Sequence, residues 1–359
     1  MSIFYAAEGS RFSRTGRQRR AVYNSGMSPA AASRARTRLL WVGVPGPDAT
    51  FESPESGGVV LFGRNLDPDP AAGPERCHRL IRELQARWGA SQPIVVALDQ
   101  EGGRVSRLQP WVGDTPTLRR IWSAGGAGAC EAWGRLWGEG LAFLGFNTDL
   151  APVADLWAEA AAMGDRSASA DPREAARAAG AFLHGLEATG VRGCLKHFPG
   201  LGGLALDSHL DLPERRDSLE PHLEPFRMLA HGDRLVMVAH LRTPFSEGLP
   251  ASLHRGHVAG NPWNIPGRWV TDDLEMGAVT AWPWPERVRL AVEAGHEALL
   301  VCQTPEAVHE AAEALLALPE PAPRAPLRFP GCRPSPTFDR AAWKRWVERV
   351  QAASVALAV

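Results

Sequence analysis

Between Gly193 and Pro213 the chain reads GCLKHFPGLGGLALDSHLDLP. Lys196, His197, Asp207 and His209 place four ionisable groups within fourteen residues, first at the end of a small apolar run and then on a glycine-rich loop. Groups of these types can exchange protons or pair with a polar ligand. The lysine is conspicuous: Lys196 and Lys344 are the only lysines, against arginine almost everywhere else that a cation occurs. Further ionisable residues follow other apolar runs: Asp99, Glu101, Arg104 and Arg107 in DQEGGRVSR, Asp149 and Asp155 in FNTDLAPVADL, and Asp165 and Arg166 in GDRS. His240 ends LVMVAH, and Asp272-Asp273 end WVTDD. Any one of these could be a surface ion pair or a capped loop. Their coincidence just past successive apolar runs points to one shared mouth.

The runs themselves recur with a rhythm. They are Leu39–Val44, Val59–Phe62, Ile94–Leu98, Phe146–Val153, Cys194–Phe198, Leu235–His240, Trp269–Asp272 and Ala298–Cys302, eight in all. Between them lie helix candidates at Glu75–Trp88, Ala129–Leu144, Pro172–Thr189 and Glu286–Ala294, with Thr304–Ala317 after the last run. Asp171-Pro172 supplies an N-cap followed by proline at the first helical position, and Gly190 a stop. Strands alternating with helices imply a parallel sheet, and eight units in roughly 300 residues fit an α/β (β/α)8 TIM barrel as a single domain. In such a barrel the site lies at the carboxyl ends of the strands, where the residues above fall. No GxGxxG follows the first strand and no Walker sequence is present, which speaks against a nucleotide fold.

Composition sets the outer bounds. A chain of 359 residues, 45% hydrophobic, can bury a large core, and a formal charge of −1 offers no field for nucleic acid or an anionic membrane. No apolar run approaches the roughly 20 residues that span a bilayer. The five cysteines, Cys77, Cys130, Cys194, Cys302 and Cys332, are odd in number and form no CxxC pair, as expected of reduced thiols in a cytoplasm. Residues 1–36 are polar and arginine-rich, which predicts a disordered N-terminal extension ahead of a 37–359 barrel. Both tyrosines, Tyr5 and Tyr23, precede Met27, so Met27 is a candidate start. Pro319–Pro336 reads as a proline-rich loop. A last amphipathic helix from Arg340 to about Ala353 carries Trp343, Trp346, Val347 and Val350 at helical spacing, the pattern of a core face.

Taken together, VVLFGRN (59–65), DQEGGRVSR (99–107), FNTDLAPVADL (146–156), GDRS (164–167), KHFPG followed by DSH with its histidine thirteen residues after the lysine, and VTDDLEM (270–276) are an ordered set. LVMVAHLRTPF and LPASL, between 235 and 253, extend it. On these motifs the sequence resembles the single-domain bacterial β-N-acetylglucosaminidases of glycoside hydrolase family 3, over about residues 38–310. The resemblance implies that Asp272 is the catalytic nucleophile of a retaining hydrolysis and His209 the acid/base, oriented by Asp207. It assigns substrate binding to Asp99, Arg107, Arg166, Lys196 and His197. The spacing of Asp207 and His209 suits that pairing, because residues i and i+2 of an extended segment project to the same side. A carboxylate on one imidazole nitrogen fixes the tautomer and leaves the other nitrogen for the leaving oxygen. An ordinary histidine pKa of about 6.5 suits proton transfer at neutral pH.

The resemblance also implies a cytoplasmic enzyme of cell-wall fragment turnover, acting on N-acetylglucosaminyl-anhydromuramic acid compounds. No metal or cofactor is expected, a monomer is, and its partner is a GlcNAc-containing carbohydrate. Asp273 reads as a structural hydrogen-bond partner, and Glu101 with Arg104 as an ion pair bracing their loop. Glu101 is the alternative acid/base. Two departures stand out. Leu201 replaces the second histidine of KHFPGHG, and Ala168-Ser169 replaces an aromatic-glycine pair after GDRS. Rival readings are a β-glucosidase or an N-acetylglucosamine phosphorylase of the same family, or a non-catalytic sugar-binding barrel. The DSH loop disfavours the first, and retention of Asp272, Asp207 and His209 disfavours the last.

Overall fold

The apolar runs are short, nearly all buried, and rich in Val and Leu, the composition of strands covered on both faces. In the computed structural model they form β1 (Leu40–Gly43), β2 (Gly58–Val60), β3 (Val95–Leu98), β4 (Thr148–Asp149), β5 (Arg192–Phe198), β6 (Leu235–Val238), β7 (Arg268–Thr271) and β8 (Leu299–Val301). The structure describes residues 33, 35–89, 92–159, 161–319, 327 and 335–357. Met27, both tyrosines, Cys332 and almost all of the expected extension and proline-rich loop lie outside them.

Every neighbouring pair is parallel, in the order β8-β1-β2-β3-β4-β5-β6-β7. A bridge from Val270 to Ala298 joins β7 to β8 and closes the barrel. This is the (β/α)8 architecture that the rhythm of the sequence implies. Strand β4 is shorter than the run Phe146–Val153. The ladder holds only Thr148 and Asp149, because Pro152 has no N–H to donate; Val153 then bridges singly to Lys196. After β3 the chain does not go straight into a helix. It folds back as an antiparallel ribbon, Gln100–Gly102 against Val105–Ser106, turning at Gly102 and Gly103, whose φ of 95° and 54° is left-handed.

Helices α1 (Gly73–Trp88), α2 (Leu118–Leu144), α3 (Pro172–Glu187), α4 (Glu220–Leu229), α5 (Trp284–Ala294) and α6 (Pro305–Ala317) clothe the wall. The side chain of Asp171 caps α3 by accepting from the Glu174 amide at 2.8 Å. Two helices differ from expectation. Helix α2 begins eleven residues earlier than Ala129, because the non-helical Gly125-Gly126 step hides a continuous run behind a kink. Helix α4 carries Pro221 in its first turn and Pro225 inside, composition that argues against a helix; burial of Leu223 and Phe226 overrides it.

The last helix, α7 (Arg340–Ala356), packs on α2. Trp343, Trp346 and Val350 are buried, the core face that their spacing predicts. The Trp346 indole N–H donates to the Leu136 carbonyl at 2.8 Å, and its ring stacks at 4.6 Å on Trp343. Gly140 makes the room: a Cβ there would lie 2.1 Å from the Trp346 ring. Replacing Trp346 with alanine therefore removes a large buried ring and its hydrogen bond to the Leu136 carbonyl. Equilibrium urea unfolding of Trp346→Ala should show a loss of about 3–5 kcal/mol, with a midpoint well below wild type.

Candidate active site

The carboxyl ends of the strands surround a cavity of about 240 Å3. Asp99, Arg107, Arg166, Lys196, His197, Asp207, His209 and Asp272 all line it, so the eight residues singled out in the sequence converge. A larger groove of about 540 Å3, lined by Arg119, Arg120 and Asp165 among others, contains none of them.

At the centre of the floor is Lys196, at the end of β5 and 2% exposed. Its ammonium contacts Asp99 Oδ1 at 2.7 Å and Glu101 Oε1 at 2.6 Å, so it ties β5 to the end of β3 and to the ribbon. Burial would lower the Lys196 pKa, but the two carboxylates outweigh it and hold it above the ordinary lysine range. Burial likewise pushes Asp99 up, and Lys196 and Arg107 more than reverse this. Arg107 reaches Asp99 Oδ2 at 3.5 Å.

Glu101 also receives a two-pronged contact from Arg166, at 2.7 and 2.8 Å. Burial would raise its pKa, yet Arg166 and Lys196 hold it well below the usual carboxylate range. The expected Glu101–Arg104 pair is therefore not what forms. Arg104 instead donates to the Ala162 carbonyl at 2.6 Å, because Arg166 and Lys196 already occupy both oxygens of Glu101. A carboxylate paired with two cations is a poor proton donor, which argues against Glu101 as the alternative acid/base.

Two histidine–aspartate pairs flank this network. His197 Nδ1 lies 2.7 Å from Asp155 Oδ2, both buried, and the other Asp155 oxygen accepts the amides of Leu201 and Gly202. Asp155 thus fixes both the His197 ring and the start of the glycine-rich loop. Its place in the sequence showed a strand-end aspartate but not this partner. On the loop, His209 Nδ1 lies 2.8 Å from Asp207 Oδ1, which also accepts the His209 amide at 3.0 Å. Burial would raise Asp207, but these bonds outweigh it and lower its pKa. Since a carboxylate only accepts, Nδ1 carries the proton and Nε2 is left for other work. The loop is stitched to the turn beyond β7, with the Gly277 and Ala278 amides donating to the carbonyls of His209 and Ser208.

Asp272 follows β7, one oxygen accepting the Asp273 amide at 2.8 Å. Asp273 accepts instead from the Cys302 amide at 3.1 Å and the Gln303 side chain at 2.7 Å. Burial, first, pushes Asp273 up to about 6. Other strand-end residues turn out to be framework. His240 is buried between Ser252 Oγ and the Asp273 carbonyl, Asp149 caps the Gln100 amide, and Arg64 and Asn65 bind backbone carbonyls. Sequence position alone did not separate these from the lining residues. Met276, the last residue of the VTDDLEM motif, and Gln303, which carried no sequence signal, also line the cavity. Leu201, where the resembled family has a histidine, is buried with Met163, Ala239 and Leu241. Ser169 bonds Glu174 at 2.8 Å beside the start of α3, and its Ala168 neighbour is buried. Among the described residues, no group of three or more His, Cys, Asp or Glu side chains is arranged to hold a metal ion.

Known proteins give the same picture. The family described as "Glycosyl hydrolase family 3 N terminal domain" matches residues 48–323. The chain belongs to glycoside hydrolase family 3. It is therefore a glycoside hydrolase. Similar family 3 proteins include the beta-hexosaminidase of Alkalilimnicola ehrlichii, 34% identical over 321 residues that cover 83% of this chain and 88% of that protein. Another is the beta-hexosaminidase of Neisseria meningitidis serogroup C, 36% identical, covering 72% and 75%. The structure of NagZ from Neisseria gonorrhoeae in complex with N-trifluoroacetyl-D-glucosamine superposes with a TM-score of 0.71 at 29% identity, covering 90% of this chain and 98% of that one.

The shift of Asp273 is open to test by titration. An unfolded aspartate has a pKa of about 3.9, against about 6 for Asp273 in the fold. The fold favours the protonated form, so the stability linked to this group is intact below about pH 4 and lost as pH rises to about 6. Asparagine keeps the acceptor for the Cys302 amide and removes the titration. From pH 4 to pH 7, the unfolding free energy should shift by about 2 kcal/mol in favour of Asp273→Asn relative to wild type.

Proposed function

We propose that this family 3 glycoside hydrolase is a retaining exo-β-N-acetylglucosaminidase that removes non-reducing terminal β-linked N-acetylglucosamine. The observation that carries the reading is that the carboxylate of Asp272 and the Asp207–His209 pair border the same small cavity as the Asp99, Lys196 and Arg107 cluster. The relatives named beta-hexosaminidase, and the N-trifluoroacetyl-D-glucosamine bound in a similar barrel, support the acetamido sugar.

In this mechanism Asp272 attacks the anomeric carbon while the bond to the leaving oxygen breaks, giving a glycosyl-enzyme ester. His209 Nε2–H protonates that oxygen. The neutral imidazole then takes a proton from water as the water attacks the same carbon. Two inversions return the sugar with its starting configuration, the Asp272 carboxylate and the imidazolium. Asp207 stabilises the imidazolium in the first step. Asp99 accepts from sugar hydroxyls, while Arg107, Arg166, Lys196 and His197 fix its charge or donate to the sugar.

The substrates proposed, on the resemblance of the motifs, are cell-wall fragments bearing N-acetylglucosamine on anhydromuramic acid, turned over in the cytoplasm. No helix in the described residues is long and apolar enough to cross a membrane. Water is the acceptor in this reading, and phosphate the rival.

Turnover of aryl β-N-acetylglucosaminide beside aryl β-glucoside tests this. Wild type should prefer the acetamido sugar and yield product of retained configuration by NMR. Asp272→Ala should lose at least about three orders of magnitude in kcat, and His209→Ala about 10²–10⁴-fold. Full activity in Asp272→Ala would end the proposal. Faster turnover in phosphate, with sugar phosphate as product, would make the enzyme a phosphorylase.

A further inference from the structure

Arg215 lies outside the cavity and carries none of the chemistry above, yet its guanidinium is almost fully buried. A buried cation is costly unless its N–H groups are all engaged. Here each of the three nitrogens has a partner. Nε donates to the Gly200 carbonyl at 3.2 Å, Nη2 to the Gly202 carbonyl, and Nη1 to both Asp217 oxygens at 3.0 Å and to His222 Nε2 at 2.8 Å. Burial, then Arg215 itself, lowers the His222 pKa, so its ring is neutral and can accept.

What these contacts join matters more than their number. Gly200 and Gly202 bracket Leu201 at the start of the loop that carries Asp207 and His209. Arg215 stands just past the end of that loop. Its own amide donates to the Arg242 carbonyl at 2.9 Å, and the Arg242 amide to Pro213 at 2.9 Å, which fastens the loop's exit to the segment after β6. One side chain thus ties the two ends of the loop together and to the barrel. The Leu201 side chain packs among apolar neighbours, so the polar bracing of the turn is shared between Asp155, which accepts the Leu201 and Gly202 amides, and the guanidinium, which holds the Gly200 and Gly202 carbonyls.

We infer that Arg215 is a positioning residue: it closes the base of the Asp207–His209 loop and so sets where the His209 ring stands relative to the scissile bond. The inference rests on the acid/base reading of His209 given above. A group that acts through His209 should matter only when the leaving oxygen needs a proton.

The test compares kcat/KM for two aryl β-N-acetylglucosaminides, 4-methoxyphenyl as a poor leaving group and 2,4-dinitrophenyl as a good one. The enzymes are wild type, His209→Ala, Arg215→Met, Arg215→Lys and Asp217→Ala. In Arg215→Met the poor substrate should fall about 10–100-fold, less than the loss in His209→Ala, while the dinitrophenyl substrate stays within about threefold. Arg215→Lys should recover part of the loss. Asp217 is largely exposed, so Asp217→Ala should fold even if Arg215→Met does not, and it should show a smaller loss of the same selectivity. Equal losses on both substrates in Arg215→Met, or in Asp217→Ala where Arg215→Met does not fold, would make Arg215 merely structural and overturn the inference. So would no loss on either. If His209→Ala itself shows no leaving-group dependence, the acid/base assignment fails rather than the role of Arg215.

Discussion

Everything at the mouth of this barrel depends on one buried ammonium. Lys196 has no solvent to satisfy it, and a lone buried lysine would surrender its proton. It keeps that proton only because Asp99 and Glu101 stand within 2.7 Å. That requirement works outward. Glu101 is drawn in by Lys196 and gripped by Arg166, which fixes the ribbon after β3 against the Gly164–Arg166 turn. Asp99 shares its second oxygen with Arg107 from the far strand of the same ribbon. A network of this kind is a weak source of net stability, because desolvation offsets much of its Coulomb energy. Its value lies in geometry. Removing any member leaves an uncompensated charge, so the polar floor has one low-energy arrangement and is formed before a sugar arrives.

The same network explains how much of the molecule could be read from its sequence. Eight apolar runs separated by amphipathic segments gave the barrel directly, since burial on both faces leaves a plain signature in residue type. The eight site residues were legible because they follow those runs. What could not be read is which partner each charge chooses. Glu101 and Arg104 are near neighbours in sequence, yet Glu101 bonds Arg166, from the turn beyond β4, and Lys196, from β5. That choice follows from strand order and loop path, not from local spacing. The helix Glu220–Leu229 was hidden for a related reason: its prolines oppose it locally, and only the packing of Leu223 and Phe226 against the barrel settles the matter. Arg215 stands in the charged run PERRD, and nothing in that local sequence marks it for burial. Its burial comes from the return of the chain past the loop it clasps.

Two histidine–aspartate pairs in one cavity, 2.7 and 2.8 Å across, also show that the pair alone does not define a function. In His197–Asp155 both side chains are buried, and Asp155 spends its remaining acceptor capacity on backbone amides. Such a histidine is held rigidly and suits binding. In His209–Asp207 the ring is 69% exposed and the carboxylate 45%. Among the described residues its Nε2 has no hydrogen-bond partner, and its loop is anchored by backbone bonds to the turn beyond β7. An acid that must also become a base within one catalytic cycle needs a ring that can exchange protons with water. It must also be kept in register with the leaving oxygen. Exposure supplies the first requirement and the stitched loop the second, whereas the buried pair meets only the second. In the proposed mechanism the division of labour between two chemically identical pairs is therefore set by solvent access, and that is set by which of them lies on the barrel floor and which on the loop above it.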